Sequence, residues 1–168
     1  IPSLITLKEN KKKPNNNFKF DIQLDNAEFF KKIFFVPLDI RMPASLKGYV
    51  NDSNGLLRVE GSFPDFIYNN TQYESATLLC ENPSDHFDCR LRGSMLMNSG
   101  AMITLSVDAE AEQDRLKTTI NWGNNTDVTY GGKLATVARF SKTKGRSPIL
   151  QADIDILPTE VVLNDTLW

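Results

Sequence analysis

The chain has 168 residues, with 19 Lys and Arg against 21 Asp and Glu, a formal net charge of -2, and 40% apolar residues. That length suits one domain that buries about two-thirds of its unfolded surface, so it folds without needing staples. The charge balance gives no electrostatic reason to expect nucleic acid or an anionic surface as partner.

The N-terminal segment reads as an edge strand, Leu4 to Leu7, followed by a lysine cluster (Lys8, Lys11, Lys12, Lys13) against Pro14 to Asn17. A solvated loop accounts for that cluster, with a lipid-headgroup or polyanion contact as the alternative. Phe18, Phe20, Ile22 and Leu24 then alternate with Lys19, Asp21 and Gln23, the period-two pattern of a strand with one apolar face. Asp25 or Asn26 can cap a short helix through about Ile33, with Ala27, Phe30 and Phe34 as its apolar stripe and Pro37 as its end. Phe29 to Leu38 is apolar but carries Lys31, Lys32 and Pro37, and no run approaches the ~20 residues of a spanning helix.

From Leu38 onward the pattern is strand and turn. Leu38, Ile40 and Met42 alternate up to Pro43; Leu57, Val59, Gly61 and Phe63 alternate up to Pro64. Tyr73 to Cys80 follows the turn Asn69-Asn70. The return arm carries Cys89, Leu91, Gly93, Met95 and Met97. The cleanest alternation is Ile103, Leu105, Val107, Ala109 and Ala111 against Thr104, Ser106, Asp108, Glu110 and Glu112. Gln113-Asp114 turns into Leu116 to Trp122, and residues 123–127 turn into Val128 to Phe140. Leu150 to Ile156, Pro158 and a last strand, Val161 to Trp168, complete the series. With no crossover helices, this is an antiparallel meander. Gly48, Gly61, Gly93 and Gly132 fall inside strands, where sharp bends or the close approach of another chain would need the room.

Cys80 and Cys89 flank a turn-rich insert, and a hairpin would set them opposite each other. A disulfide and a pair of reduced thiols both fit the spacing. The bridge would imply an oxidising compartment. His86 is the only histidine, so neither a zinc site nor a catalytic base with an oriented nucleophile is expected, although Ser84, Asp85 and Asp88 are near. Asp108, Glu110, Glu112 and Asp114 are successive outward residues rather than an acid–base pair across a cleft. Gly131-Gly132-Lys133 and Gly145-Arg146-Ser147 lack phosphate-loop spacing. The N-x-[ST] matches at Asn69, Asn124 and Asn164 coincide with turn composition. Trp122 and Trp168 end alternating runs, suiting core or rim packing, with a sugar-binding platform as the alternative. No catalytic residue, cofactor or metal is expected.

The stretch Ala109 to Phe140, with Ile120-Asn121-Trp122-Gly123-Asn124 and Tyr130-Gly131-Gly132-Lys133-Leu134, and the tail Ile154 to Trp168 with Val161-Val162-Leu163-Asn164-Asp165-Thr166-Leu167-Trp168, resemble the C-terminal part of TamB-like translocation and assembly module proteins of the AsmA-like superfamily. The resemblance covers roughly residues 38–168. It implies a periplasmic segment of a longer chain anchored in the inner membrane of a Gram-negative envelope. Its sheet would curl into an open hydrophobic trough that handles phospholipid acyl chains or outer-membrane β-barrel proteins, together with an outer-membrane assembly partner. By the same resemblance the trough-lining positions are Leu57, Val59, Leu91, Met95, Ile103, Leu105, Val107, Leu116, Ile120, Leu134 and Ile154. The expected fold is therefore a single mostly β domain, a curved antiparallel meander with one short helix near its start. A closed β-sandwich binding carbohydrate or a cell surface is the alternative.

Overall fold

The computed structural model describes residues 17–51, 55–82, 86–124, 129–143 and 149–168. The expected strand at Leu4 to Leu7, the lysine cluster, Ser84, Asp85 and Gly145-Arg146-Ser147 lie outside them.

The order is β1 (Asn17–Leu24), α1 (Glu28–Phe34), β2 (Leu38–Ile40), β3 (Ala44–Asn51), β4 (Leu56–Tyr68), β5 (Thr71–Glu81), β6 (Phe87–Leu96), β7 (Met102–Glu112), β8 (Arg115–Asn124), β9 (Gly131–Lys142), β10 (Leu150–Ile156), β11 (Glu160–Leu163) and β12 (Thr166–Leu167). All twelve strands belong to one open antiparallel sheet, arranged almost in chain order. The sandwich alternative is thereby corrected: the described residues form a single sheet, and no large side chain among them is fully buried.

Two-residue turns set much of the register. Asn69-Asn70, Gln113-Asp114 and Asn164-Asp165 each hold two successive residues at positive φ, between 46° and 63°. That is the type I′ geometry whose twist matches the strands it joins, and Asn and Asp tolerate it. The third of these corrects the expected last strand. Val161 to Trp168 is a hairpin, β11 pairing β12 through Val162–Leu167 and Leu163–Thr166.

Pro43 and Pro158 stand at strand ends where the ladder absorbs an extra residue, and Pro64 lies inside β4. Ile40 pairs Phe66 and Ser45 pairs Ser62, so five steps on one side face four on β4 and an extra residue is absorbed around Pro43. A similar one-residue shift around Pro158 separates Ile156–Thr136 from Glu160–Lys133. β4 runs straight through Pro64, opposite Ser75 of β5, where the β5–β6 register also slips by one, between Glu74 and Thr77. Proline lacks the N–H a ladder needs, and a bulge is where a strand tolerates it. β2 with β3, and β10 with β11, are thus single ranks broken by bulges, which bend and twist a sheet locally.

α1 starts one or two residues later than the sequence suggests, with Asn26 Oδ1 accepting the Glu28 N–H at 3.2 Å. It ends before Pro37, because Phe35 turns left-handed at φ 54° and donates its N–H to the Phe30 carbonyl. Of its expected apolar stripe only Ala27 is buried, packed with Ile40 and Ala44 and flanked by Leu24, Leu38, Phe63 and Phe66. Phe34 is exposed, because the short helix meets the sheet only along β2. Among the described residues Asn82 is the buried polar one: its amide bonds the Leu57 N–H and the Gly55 carbonyl, tying the β3–β4 turn to the end of β5.

Candidate functional site: the apolar face

Cross-strand partners in a ladder share a face, so register assigns every side chain to one side. One row runs Gly93–Leu105–Trp122–Gly132–Val161 from β6 to β11. The next runs Gly61–Leu78–Leu91–Val107–Ile120–Leu134, and the one after it Val59–Cys80–Cys89–Ala109–Thr118–Thr136. Extended along the strands, this face holds all eleven positions that the resemblance implies: Leu57 and Val59 on β4, Leu91 and Met95 on β6, Ile103, Leu105 and Val107 on β7, Leu116 and Ile120 on β8, Leu134 on β9 and Ile154 on β10.

The opposite face is charged and internally paired. Lys47 meets Asp21 at 3.2 Å, Arg58 meets Glu81 at 2.6 Å, and Lys117 meets Glu110 at 3.8 Å. Arg92 pairs Asp108 and Arg139 pairs Asp155. The Arg58 guanidinium is held above its ordinary value, first by the hydrogen bond and charge of Glu60 and then by Glu81. These pairs are exposed, so each adds little stability, but they fix which face meets water. The carboxylates of β7 thus lie on the outer face, Asp108 and Glu110 in ion pairs. His86 Nε2 lies 3.2 Å from Asp88 Oδ2.

The apolar face is concave where the β5 bulge bends it. A hollow of about 410 Å³ opens there, lined from Phe66 on β4 to Trp122 on β8. Four of the eleven positions, Leu91, Met95, Ile103 and Leu105, line it, together with Tyr73, Ala76 and Gly93. The other seven share the face but lie outside the hollow; Ile154, on β10, is well exposed.

Phe66 and Tyr73 are register partners with stacked rings, 5.1 Å apart, and form one wall. The alternation rule misses them because Phe63 and Phe66 are three residues apart. The irregularity at Pro64 and Ser75 shifts the parity, so both rings reach the same side, with centroids 6.2 Å apart. The aromatic density of Phe63 to Tyr73 is the one sequence signal that could have found them.

Trp122 packs in the wall of the hollow, its indole over its register partner Gly132. Phe20 covers Gly48 in the same manner. At these two positions the missing side chain makes room for an aromatic ring of the neighbouring strand, not for another chain. Trp168 is largely exposed beside β11, where its backbone N–H donates to the Val161 carbonyl at 2.8 Å.

Cys80 and Cys89 are register partners on the apolar face and are joined by a disulfide. Among the described residues no cluster of His, Cys, Asp or Glu could hold a metal ion, and no helix is long and apolar enough to cross a membrane. In comparisons with protein families, characterised proteins and solved structures, nothing matches this chain.

Proposed function

We propose that this sheet holds phospholipid acyl chains on its concave apolar face, as a periplasmic segment of a TamB-like protein that moves lipid between membranes. The observation that carries the reading is a single-layered amphipathic sheet whose oily side has no second layer over it among the described residues, and a hollow along its bend. An apolar face of this extent needs an occupant in water. An acyl chain supplies one, gaining about 0.8 kcal/mol per buried methylene without polar recognition. Several charged groups of the other face are engaged in ion pairs, and the proposed action is binding, with no catalytic residue, cofactor or metal assigned to it. The Cys80–Cys89 disulfide fits an oxidising compartment such as the periplasm. The resemblance over residues 38–168 supports the family, and with it an inner-membrane anchor and an outer-membrane assembly partner in the full-length protein.

A second mode rests on β10, which lies off the main strand path and pairs only β9. A strand of an unfolded outer-membrane protein could add to its other edge. The test of the main reading is photo-crosslinking with a phospholipid carrying a photoactivatable group in its tail. Leu105→Asp with Ile120→Asp should abolish the adduct, while Ser106→Asp on the outer face should leave it intact. Equal labelling of both variants would refute the reading.

A further inference from the structure

We propose that the aromatic tip formed by α1 and Phe35 docks on the surface of an uncharged lipid bilayer. Phe29 is 59% exposed, Ile33 54%, Phe34 60% and Phe35 87%, and no residue of the helix is buried. The rings are gathered rather than scattered. Phe29 packs edge-on against Phe30 and Phe34, with centroids 5.8 and 6.0 Å apart. Phe35 combines this exposure with a left-handed backbone, a conformation that glycine would adopt without strain. A large apolar side chain displayed on an unfavourable backbone points to a surface that meets something apolar.

Size and charge decide between occupants. The four side chains offer roughly 500 Å², well short of the ~800 Å² per partner of a stable protein interface. The two lysines are matched, Lys32 to Glu28 at 3.3 Å and Lys31 to Asp39 at 3.0 Å, so the tip has no excess charge for an anionic partner. Amphipathic segments with exposed aromatic rings settle in the headgroup region of a bilayer. The tip is also continuous with the hollow: Ala27, at the start of α1, packs in the cluster flanked by Phe66, and Phe66 lines the hollow. This inference rests on the acyl-chain reading for its purpose but not for its binding.

The test is flotation of the full chain with vesicles of phosphatidylcholine alone, at about 0.1 and 0.5 M NaCl, salt levels spanning the screening range. The chain should float to the same extent at both. Phe29→Asp with Phe34→Asp should reduce the floated fraction at least five-fold. Phe35→Gly should do so too, while relieving the backbone and leaving the fold intact. Leu105→Asp should float like the wild type, which separates this surface from the hollow. Absence of flotation, loss at high salt, full flotation of Phe35→Gly, or loss in Leu105→Asp would each overturn the proposal. So would a lipid-free dimer that the Phe29→Asp/Phe34→Asp variant dissolves, since that would make a second copy the occupant.

Discussion

The indole of Trp122 lies across Gly132, its register partner on β9, so closely that a Cβ on Gly132 would overlap the ring carbons Cζ2 and Cη2. The glycine backbone serves as the floor for the ring, and the ring in turn forms one wall of the hollow. Gly132→Val should therefore push the indole off its seat and cost about 1–3 kcal/mol through overpacking. Chemical denaturation with Trp fluorescence checks both effects: a lower midpoint and a native spectrum altered by a displaced Trp122. An unchanged midpoint would show that the ring can move freely.

The β5 bulge makes its own prediction. Ser75 holds φ at 53° opposite Pro64, a backbone that glycine adopts freely and a β-branched residue resists. Ser75→Gly should keep or slightly raise the thermal midpoint. Ser75→Val should destabilise by about 1–3 kcal/mol, the usual penalty for forcing a sparsely populated backbone region. It should also weaken acyl-chain binding, because the hollow depends on the bend. Parallel melting curves and lipid titrations separate the two effects.

The disulfide closes a short loop between adjacent strands, with a sequence separation of 9. Restricting the unfolded chain by a loop of that size stabilises by about 2–3 kcal/mol. Cys80→Ala with Cys89→Ala should lower stability by that amount while circular dichroism still reports a β-sheet, since the β5–β6 ladder itself remains.

Asp165 ties the β11–β12 turn to the chain entering β9, accepting the Thr129 N–H at 2.9 Å. Hydrogen bonding from the Thr129 side chain, and then its backbone, holds this carboxyl below its ordinary value of 3.8. A depressed folded value means that the contribution is complete above the unfolded value, and is lost as pH falls from there through the folded one. Amide exchange in β12 should accordingly be more protected at pH 6 than at pH 3 once corrected for intrinsic rates. Asp165→Asn should reduce that difference.

From β6 to β9 the face to which each side chain belongs was legible from alternation alone. Leu105 and Ser106 are neighbours in the chain and lie on opposite faces, and the I′ turns at Asn69-Asn70 and Gln113-Asp114 are visible as polar pairs between apolar runs. What escaped was non-local. A proline in a run reads as a stop, so β4 seemed to end at Phe63, yet its ladder resumes after Pro64 because β5 yields at Ser75. That single slip brings Phe66 and Tyr73 to the apolar side, which no period-two count foretells. The fit of Trp122 over Gly132 depends on the pairing of β8 with β9, and Phe35's exposed, left-handed state depends on where α1 stops. The Asn164-Asp165 turn likewise splits what the alternation joined.

The central claim is that the concave apolar face holds acyl chains while the charged face does not. A photo-crosslinking amino acid placed at Leu105 and, separately, at Ser106 tests it most directly, because the two positions differ by one residue and by the side of the sheet. Adducts with phospholipid tails at Leu105 and none at Ser106 are the predicted result. Equal adducts at both, or none at Leu105 in a folded protein saturated with lipid, would contradict it.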